Sequence, residues 1–334
     1  MEVASEIGSK LSSPGQMSAK PRVDPGAYEA YLKGIFAFDQ MRCTSFGKAV
    51  TYLQEAVAKD PSFAPAYAGL ADSYFELSDW RCSQTVSFDK AQASALKAVA
   101  LDPGLASAHA VLAEIAFARD WNWANAASEF RKAIQLDPND AAIRAAYGIY
   151  LVAMGNEEQG LSEMHKAHQI DPVSEKTNIM YTTALFFAHR FDEAIVQAQQ
   201  ALDLLPSSYG QYYWLGECYE KKGMPDQAIE SYLQMWDRQP VELSRRRTAY
   251  QKDGLRGYWQ EDERYRTRIE NLPVDSFFWA MYFAHAGENS KALEQLKLAY
   301  KLHCSGMEFL RVDPHFDGLR GNPDFKALLA QLAL

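Results

Sequence analysis

His165 and His168, in the stretch EMHKAHQ, stand three residues apart, a spacing that on one helix can found a metal site. No third ligand is in sight, so the pair reads as two solvent-facing or partly packed histidines. Cys43, Cys82, Cys218 and Cys304 lie far apart with no C-x-x-C spacing, which suits free thiols in a reducing compartment. No G-x-x-x-x-G-K-[ST], G-x-S-x-G or H-E-x-x-H string occurs, and GECYEKKG (216–223) reads as helix rather than as a phosphate loop. The sequence therefore nominates no catalytic residue, no cofactor and no metal ligand set, and the chain is not expected to be an enzyme. What is left is recognition chemistry. The triplet Arg245–Arg247 suits an anionic partner or a solvated face. Trp121 and Trp123 flank a turn that they are expected to plug. Phe186–Phe187 and Phe277–Phe278 each put one ring into a core and leave the other for a wall.

The 334 residues suffice for two ordinary domains or one elongated array, and 48% hydrophobic with 23% charged residues is normal for a folded chain. A net charge of −9 argues against general nucleic-acid binding, because phosphate neutralisation needs surplus Lys and Arg. The sequence has no apolar run of the roughly 18 residues that a membrane helix needs. The opening MEVASEIGSKLSSPG has early acids and no apolar core of a signal peptide. A cytoplasmic protein is expected.

The positioning elements announce themselves by a repeated phrase. KAIQLDPND (132–140) returns as EAVAKDPSF, KAVALDPGL, KAHQIDPVS and QALDLLPSS, with prolines at 61, 103, 138, 172, 206 and 240, and Pro273 following; successive gaps are 42, 35, 34, 34, 34 and 33 residues. A period near 34 is the mark of stacked helical hairpins. Twelve residues before each proline stand Ala49, Ala91, Ala126, Gly160, Ala194 and Ala228, and five before stand Ala56, Ala98, Ala133, Ala167, Ala201 and Met235. Such small columns let helix backbones approach closely. Between them, eight before, come Leu53, Ala95, Phe130, Met164, Ala198 and Tyr232 as larger plugs in most units. Each proline ends its second helix by removing an amide donor and restricting the residue before it. In the first helices, Tyr67, Leu70, Ala71 and Tyr74, and again Tyr212, Leu215, Gly216 and Tyr219, form i, i+3, i+4, i+7 stripes.

These residues resemble the tetratricopeptide repeat, best in YYWLGECYEKKGMPDQAIESYLQMWDRQP (212–240), and the resemblance covers roughly residues 26–304. It implies an all-α, right-handed superhelical solenoid of about eight hairpins with a C-terminal capping segment. Residues 1–24 read as an N-terminal segment, such as the end of a preceding domain, 25–240 as six units, 241–273 as a degenerate unit or an irregular insert, 274–304 as an eighth unit and 305–334 as the cap. The second unit carries its extra length in SDWRCSQTVSF (78–88), a loop on the same edge as Cys43. The degenerate unit has Glu261 and Arg268 in the small columns and is expected to pack loosely, with both side chains in water. Phe309, Leu310, Phe316, Leu319, Phe325, Leu328 and Leu329 are spaced as short helices that would cover the last hairpin.

DPGAYEAYLKGIFAF (24–38) and RVDPHFDGLRGNPDFKALLAQL (311–332) resemble the boundary phrases of a bacterial tetratricopeptide family whose members follow winged-helix, cyclase or kinase domains. That likeness implies either a stand-alone relative or the sensory part of a longer regulator. In tetratricopeptide arrays the first helix of each hairpin lines a concave groove. Its positions carry over here to Asp72, Glu76, Glu114, Phe117, Ile149, Thr183, Phe186, Tyr213, Glu217, Arg246 and Tyr250. The family's carboxylate clamp uses Lys, Asn and Arg, whereas this groove offers acids and aromatics, so that activity does not transfer. The expectation is a scaffold that binds a basic or mixed basic–apolar peptide or helix, without direct nucleic-acid or membrane binding. The alternative is a regulatory module of a transcriptional or signalling protein.

Overall fold

The computed structural model describes residues 23–40, 43–79, 87–269 and 276–334. The expectations for residues 1–22, for the loop around Cys82, for the Cys43 thiol and for the Arg268 side chain lie outside the described residues. All regular structure within them is helical. The helices are α1 (Pro25–Phe38), α2 (Cys43–Lys59), α3 (Ala64–Asp79), α4 (Ser87–Leu101), α5 (Ala106–Ala118), α6 (Trp123–Leu136), α7 (Ala141–Ala153), α8 (Glu157–Ile170), α9 (Glu175–Phe187), α10 (Phe191–Leu204), α11 (Tyr209–Lys221) and α12 (Pro225–Gln234). There follow α13 (Pro240–Ile269), α14 (Ser276–His285), α15 (Asn289–Lys301), 3-10 turns at Met307–Phe309 and Pro314–Leu319, and α16 (Pro323–Leu332). Each odd helix up to α11 packs against the next as a hairpin, and α14 packs against α15 likewise.

The small columns are where the sequence puts them. Ala49, Ala91, Ala126, Ala194, Ala228, Ala56, Ala98, Ala133 and Ala167 are all fully buried, as are the plugs Leu53, Ala95, Met164, Ala198 and Tyr232. The recurring phrase is more than a proline stop. Asp60, Asp102, Asp137 and Asp171 each accept, through a side-chain oxygen, the amide two residues on, at 2.9, 2.9, 3.1 and 3.3 Å, so the aspartate closes the turn that the proline opens. Six residues past the proline, Arg144, Asn178 and Tyr212 donate back to the carbonyls of Pro138, Pro172 and Pro206. His109 meets Pro103 O in the same way at 3.2 Å. These staples join each turn to the first helix of the next hairpin, fixing the stacking angle.

The unit expected to be loose is built differently. Helix α13 reverses at Asp253 and Gly254, where Gly254 takes a φ of +58° that favours glycine, so it is two short helices folded together. Its core is a buried cation. Arg246 has no exposed surface and donates to Glu242 at 3.2 Å and to Asp262 at 2.8 Å. Its guanidinium lies 3.3 Å from the centre of the Trp236 ring, and Tyr282 closes the other Asp262 oxygen at 2.6 Å. Glu261 is not turned to water either: its side chain is 12% exposed and pairs with Arg264.

The cap covers the last hairpin through Leu310, Phe316, Leu319, Phe325 and Leu328, which join Phe277, Leu293 and Leu296 in one buried cluster. It also goes further than a lid. Gly306, at φ +99° and close against the Phe277 ring, turns the chain out of the last hairpin and across the inner face of the middle units. Trp123 Nε1 donates to Leu332 O at 2.9 Å, and the Trp121 ring stacks on His303 at 4.1 Å. The two tryptophans expected to plug a turn are thus also the docking point for the far end of the chain.

Candidate functional site

The inner face is lined by the first helices of the hairpins, and residues 307–319 lie on it. Phe309 stacks on Phe187 at 4.7 Å and meets Phe117 edge-on at 5.5 Å. Phe117 is flanked in turn by Tyr150 and Trp123, whose rings lie 5.5 and 6.0 Å away. Further along the tail, the Pro314 carbonyl accepts from Lys221 at 3.1 Å, and the His315 ring lies 5.4 Å from Phe186.

The polar centre is Glu217, which has no exposed surface. Its Oε2 lies 2.7 Å from His315 Nε2, and its Oε1 faces His285 Nε2 at 3.5 Å, too long for a good hydrogen bond. Each imidazole is gripped from behind. His285 Nδ1 meets Glu220 at 2.9 Å, and its ring is stacked 4.0 Å from Trp259, which itself donates to Glu220. His315 Nδ1 meets Asp313 at 2.6 Å, and the same Asp313 oxygen accepts the His315 amide. Burial pushes the Glu217 carboxyl up, but the facing imidazoles of His285 and His315 outweigh it and hold it well below the usual range. Burial pulls His285 down, and Glu220 with Glu217 reverses that, raising it to about 10. His315 is likewise lowered by burial and raised on balance by Asp313 and Glu217.

The nominated groove positions fall into three groups. Phe117, Ile149, Phe186 and Glu217 are buried on the inner wall, where the tail covers Phe117, Phe186 and Glu217; Thr183 and Tyr213 are partly buried on the same helices. Asp72 and Glu76 face a lysine from across the superhelix: Lys176, on α9, is 3.8 Å from Asp72 and 2.6 Å from Glu76, a hundred residues away. Burial lowers the Lys176 ammonium, but Asp72, Glu76 and Glu114 outweigh it and hold it well above its ordinary value. Arg246 is a correction, since it is core rather than groove, and Tyr250 donates to Asp226 within its own neighbourhood. An open acidic groove is therefore not what the chain presents. Its acids already have partners among the chain's own Lys176, His285 and His315.

The sequence nominates no metal ligand set, but the fold brings Glu217, His285 and His315 together, with one ligand atom each within 4.8 Å of one another. They sit on α11, on the end of α14 and in the tail, so no short spacing in the sequence marks them. His165 and His168, the spaced pair, find no third ligand among the described residues.

The tetratricopeptide repeat family model matches residues 183–241. Interferon-induced protein with tetratricopeptide repeats 2 from Cricetulus griseus is 31% identical over 100 residues, 29% of this chain and about a fifth, 21%, of that relative's length. Among solved structures, the human IFIT1 dimer with PPP-AAAA superposes with a TM-score of 0.54 at 14% identity, covering 99% of this chain and 76% of that one. The human IFIT1 dimer with m7Gppp-AAAA superposes with a TM-score of 0.50 at 16% identity, over 89% of this chain and 80% of that one. At such identities the likeness is one of fold. The chain is an all-α superhelical array of hairpins that carries tetratricopeptide repeats where the family model matches it.

Proposed function

We propose that the chain is a protein-interaction scaffold whose inner wall receives a short helical segment of mixed basic and apolar character. The single observation that carries this reading is the tail itself. Residues 307–319 dock an aromatic ring, Phe309, between Phe117 and Phe187, and an imidazole, His315, on Glu217. A partner that offers an aromatic or apolar side chain and a cation at the same separation would meet the same seats. Phe117, Phe186, Tyr213 and Glu217 would form the core of its site, with Ile149 and Thr183 beside it. The net charge of −9 supports a peptide over a nucleic acid, because phosphate neutralisation needs surplus Lys and Arg.

The tail competes with any such partner. An intramolecular segment acts at an effective concentration of order millimolar, so a partner gains access only in proportion to the open fraction. The test is a labelled peptide copying residues 305–320, titrated into the parent chain and into Phe309→Ala/His315→Ala, whose own tail is loosened. The peptide should bind the loosened chain at least tenfold more tightly, lose affinity as salt rises, and lose binding when Glu217→Lys is added. Equal weak binding to both chains, or displacement of the peptide by single-stranded RNA, would overturn the reading.

A further inference from the structure

We propose that Glu217, His285 and His315 form a site for one divalent transition ion of the zinc class, which would staple the tail to the inner wall. The proposal does not rest on the partner reading. It stands on three observations. The first is geometry. With metal–ligand bonds of about 2.0–2.1 Å, the edge of a tetrahedron is about 3.3–3.4 Å. The ligand atoms, one per residue, lie within 4.8 Å of one another; Glu217 Oε1 is 3.5 Å from His285 Nε2 and the other oxygen, Oε2, is 2.7 Å from His315 Nε2, so the side chains would have to close further around a single ion.

The second is a pair of buried, imperfectly satisfied atoms. Glu217 Oε1 and His285 Nε2, on side chains 0% and 2% exposed, face each other as an ion pair at 3.5 Å, and neither makes a hydrogen bond. A shared ion between them would satisfy both better than that long contact does. The third is the support behind the ligands. A metal-bound imidazole usually gives its other ring nitrogen to a carboxylate, which fixes the tautomer and raises its basicity. Both histidines have that arrangement, His285 Nδ1 on Glu220 at 2.9 Å and His315 Nδ1 on Asp313 at 2.6 Å. Each therefore presents Nε2 toward Glu217. An ion would have to displace the protons of the two imidazoles; the three carboxylates of Glu217, Glu220 and Asp313 then carry −3, and a bound dication would bring the cluster to −1.

Two nitrogens and a carboxylate are the donor set of borderline metals rather than of calcium or magnesium, which prefer all-oxygen shells. Three protein ligands leave a fourth position. A cavity of about 20 Å³ with room for one water touches His285 but neither Glu217 nor His315, so the fourth ligand would have to enter as the side chains close on the ion. Cys218 follows Glu217 in sequence, but burial and then the Glu217 charge push its thiol well up, away from the thiolate that a metal needs.

The experiment uses the full chain, stripped by chelation, dialysed and titrated with Zn2+ against a chromophoric chelator, with Co2+ as the spectroscopic probe. One equivalent should bind, Co2+ should give the intense visible bands of a four-coordinate ion, and amide exchange over 307–319 should slow in the parent when Zn2+ is added. Glu217→Gln and His315→Gln should each weaken binding by at least about a hundredfold, and Glu220→Gln, acting only through His285, by about 10–100-fold. His165→Ala/His168→Ala should bind like the parent. Failure to bind one equivalent, unchanged exchange over 307–319, or binding lost through the His165/His168 variant or cysteine alkylation would overturn the assignment. The exchange measurement needs no substitution, so it decides even if Glu217→Gln misfolds.

Discussion

Replacing Arg246 by Met would remove the charge at the centre of α13 while keeping the length of its stem over Trp236. Asp262, with a side chain 3% exposed, would then lose this guanidinium in a site that water barely reaches, while Glu242 would keep Arg245 at 2.9 Å. Breaking a buried ion pair from one side costs about 3–5 kcal/mol, because the remaining charge stays buried. The cation–aromatic contact with Trp236, at 3.3 Å, is lost as well, and such contacts are worth about 2 kcal/mol when desolvated. We therefore expect a loss of about 3–5 kcal/mol, the upper end if the ring contact adds. In an array of this kind stability is a sum of units and interfaces, so the loss should stay local. Amide exchange should accelerate over 240–269 and 276–301 and stay unchanged over 87–187. Adding Asp262→Asn to Arg246→Met removes the buried carboxylate charge that faced the guanidinium and keeps an acceptor for Tyr282, so it should recover more than half of the loss. A cost below about 1 kcal/mol, or exchange that rises evenly along the chain, would refute the view that this buried cation holds the seventh hairpin together.

Deleting residues 306–334 should expose Leu293, Leu296 and the aromatic seat at Phe117 and Phe187, so the last hairpin should melt or aggregate while exchange over 64–204 stays as in the parent. Gly306→Ala should loosen the tail without touching a ligand, since the added methyl meets the Phe277 ring and the φ of +99° is strained for alanine; faster exchange confined to 305–332 is the readout. Asp72 gives a pH effect. Burial raises its carboxyl from 3.8 to about 6 despite Lys176, so the folded chain holds that proton more tightly than the unfolded chain does. The stability it contributes is complete below 3.8 and is lost as the pH rises through about 6. Asp72→Asn should therefore match the parent near the acid end and exceed it above about pH 7, by about 1–2 kcal/mol once the 30% exposure of the side chain is allowed for. Parallel denaturation curves at the two ends of that range would show whether the gap opens.

The parts of this fold that sequence made legible are those written within one repeat. Ala91, Ala126 and Ala194 sit at fixed distances from their prolines because each packs against its own hairpin, and such contacts leave a period behind. The interior of α13 left no such trace. Arg246 looks like one of three surface arginines until Trp236 from the turn after α12, Asp262 from the later part of α13 and Tyr282 from α14 close around it. The same holds for the inner wall. The resemblance to the tetratricopeptide repeat nominated Phe186 and Glu217 for it, but nothing in their neighbourhood tells that Phe309 and His315 will cover them. Trp121 and Trp123 offered a faint signal, since two tryptophans at a solvent-facing turn are more ring than the turn itself can bury.

Closure across the array has a consequence in time. Glu217 and His315 are 98 residues apart, and Trp123 and Leu332 are 209 apart. At a synthesis rate of about 5–20 residues per second, the wall leaves the ribosome about 5–20 s before its own histidine does, and the Trp123 seat waits about 10–40 s for the chain end. Hairpins stacked from the front can fold as they emerge, so for those seconds the aromatic seat and the acid stand open in a folded surface. A partner made or waiting nearby meets a wall with no rival, whereas one arriving later has to displace a tail already in place. The order of birth, and not affinity alone, then selects which segment the wall holds.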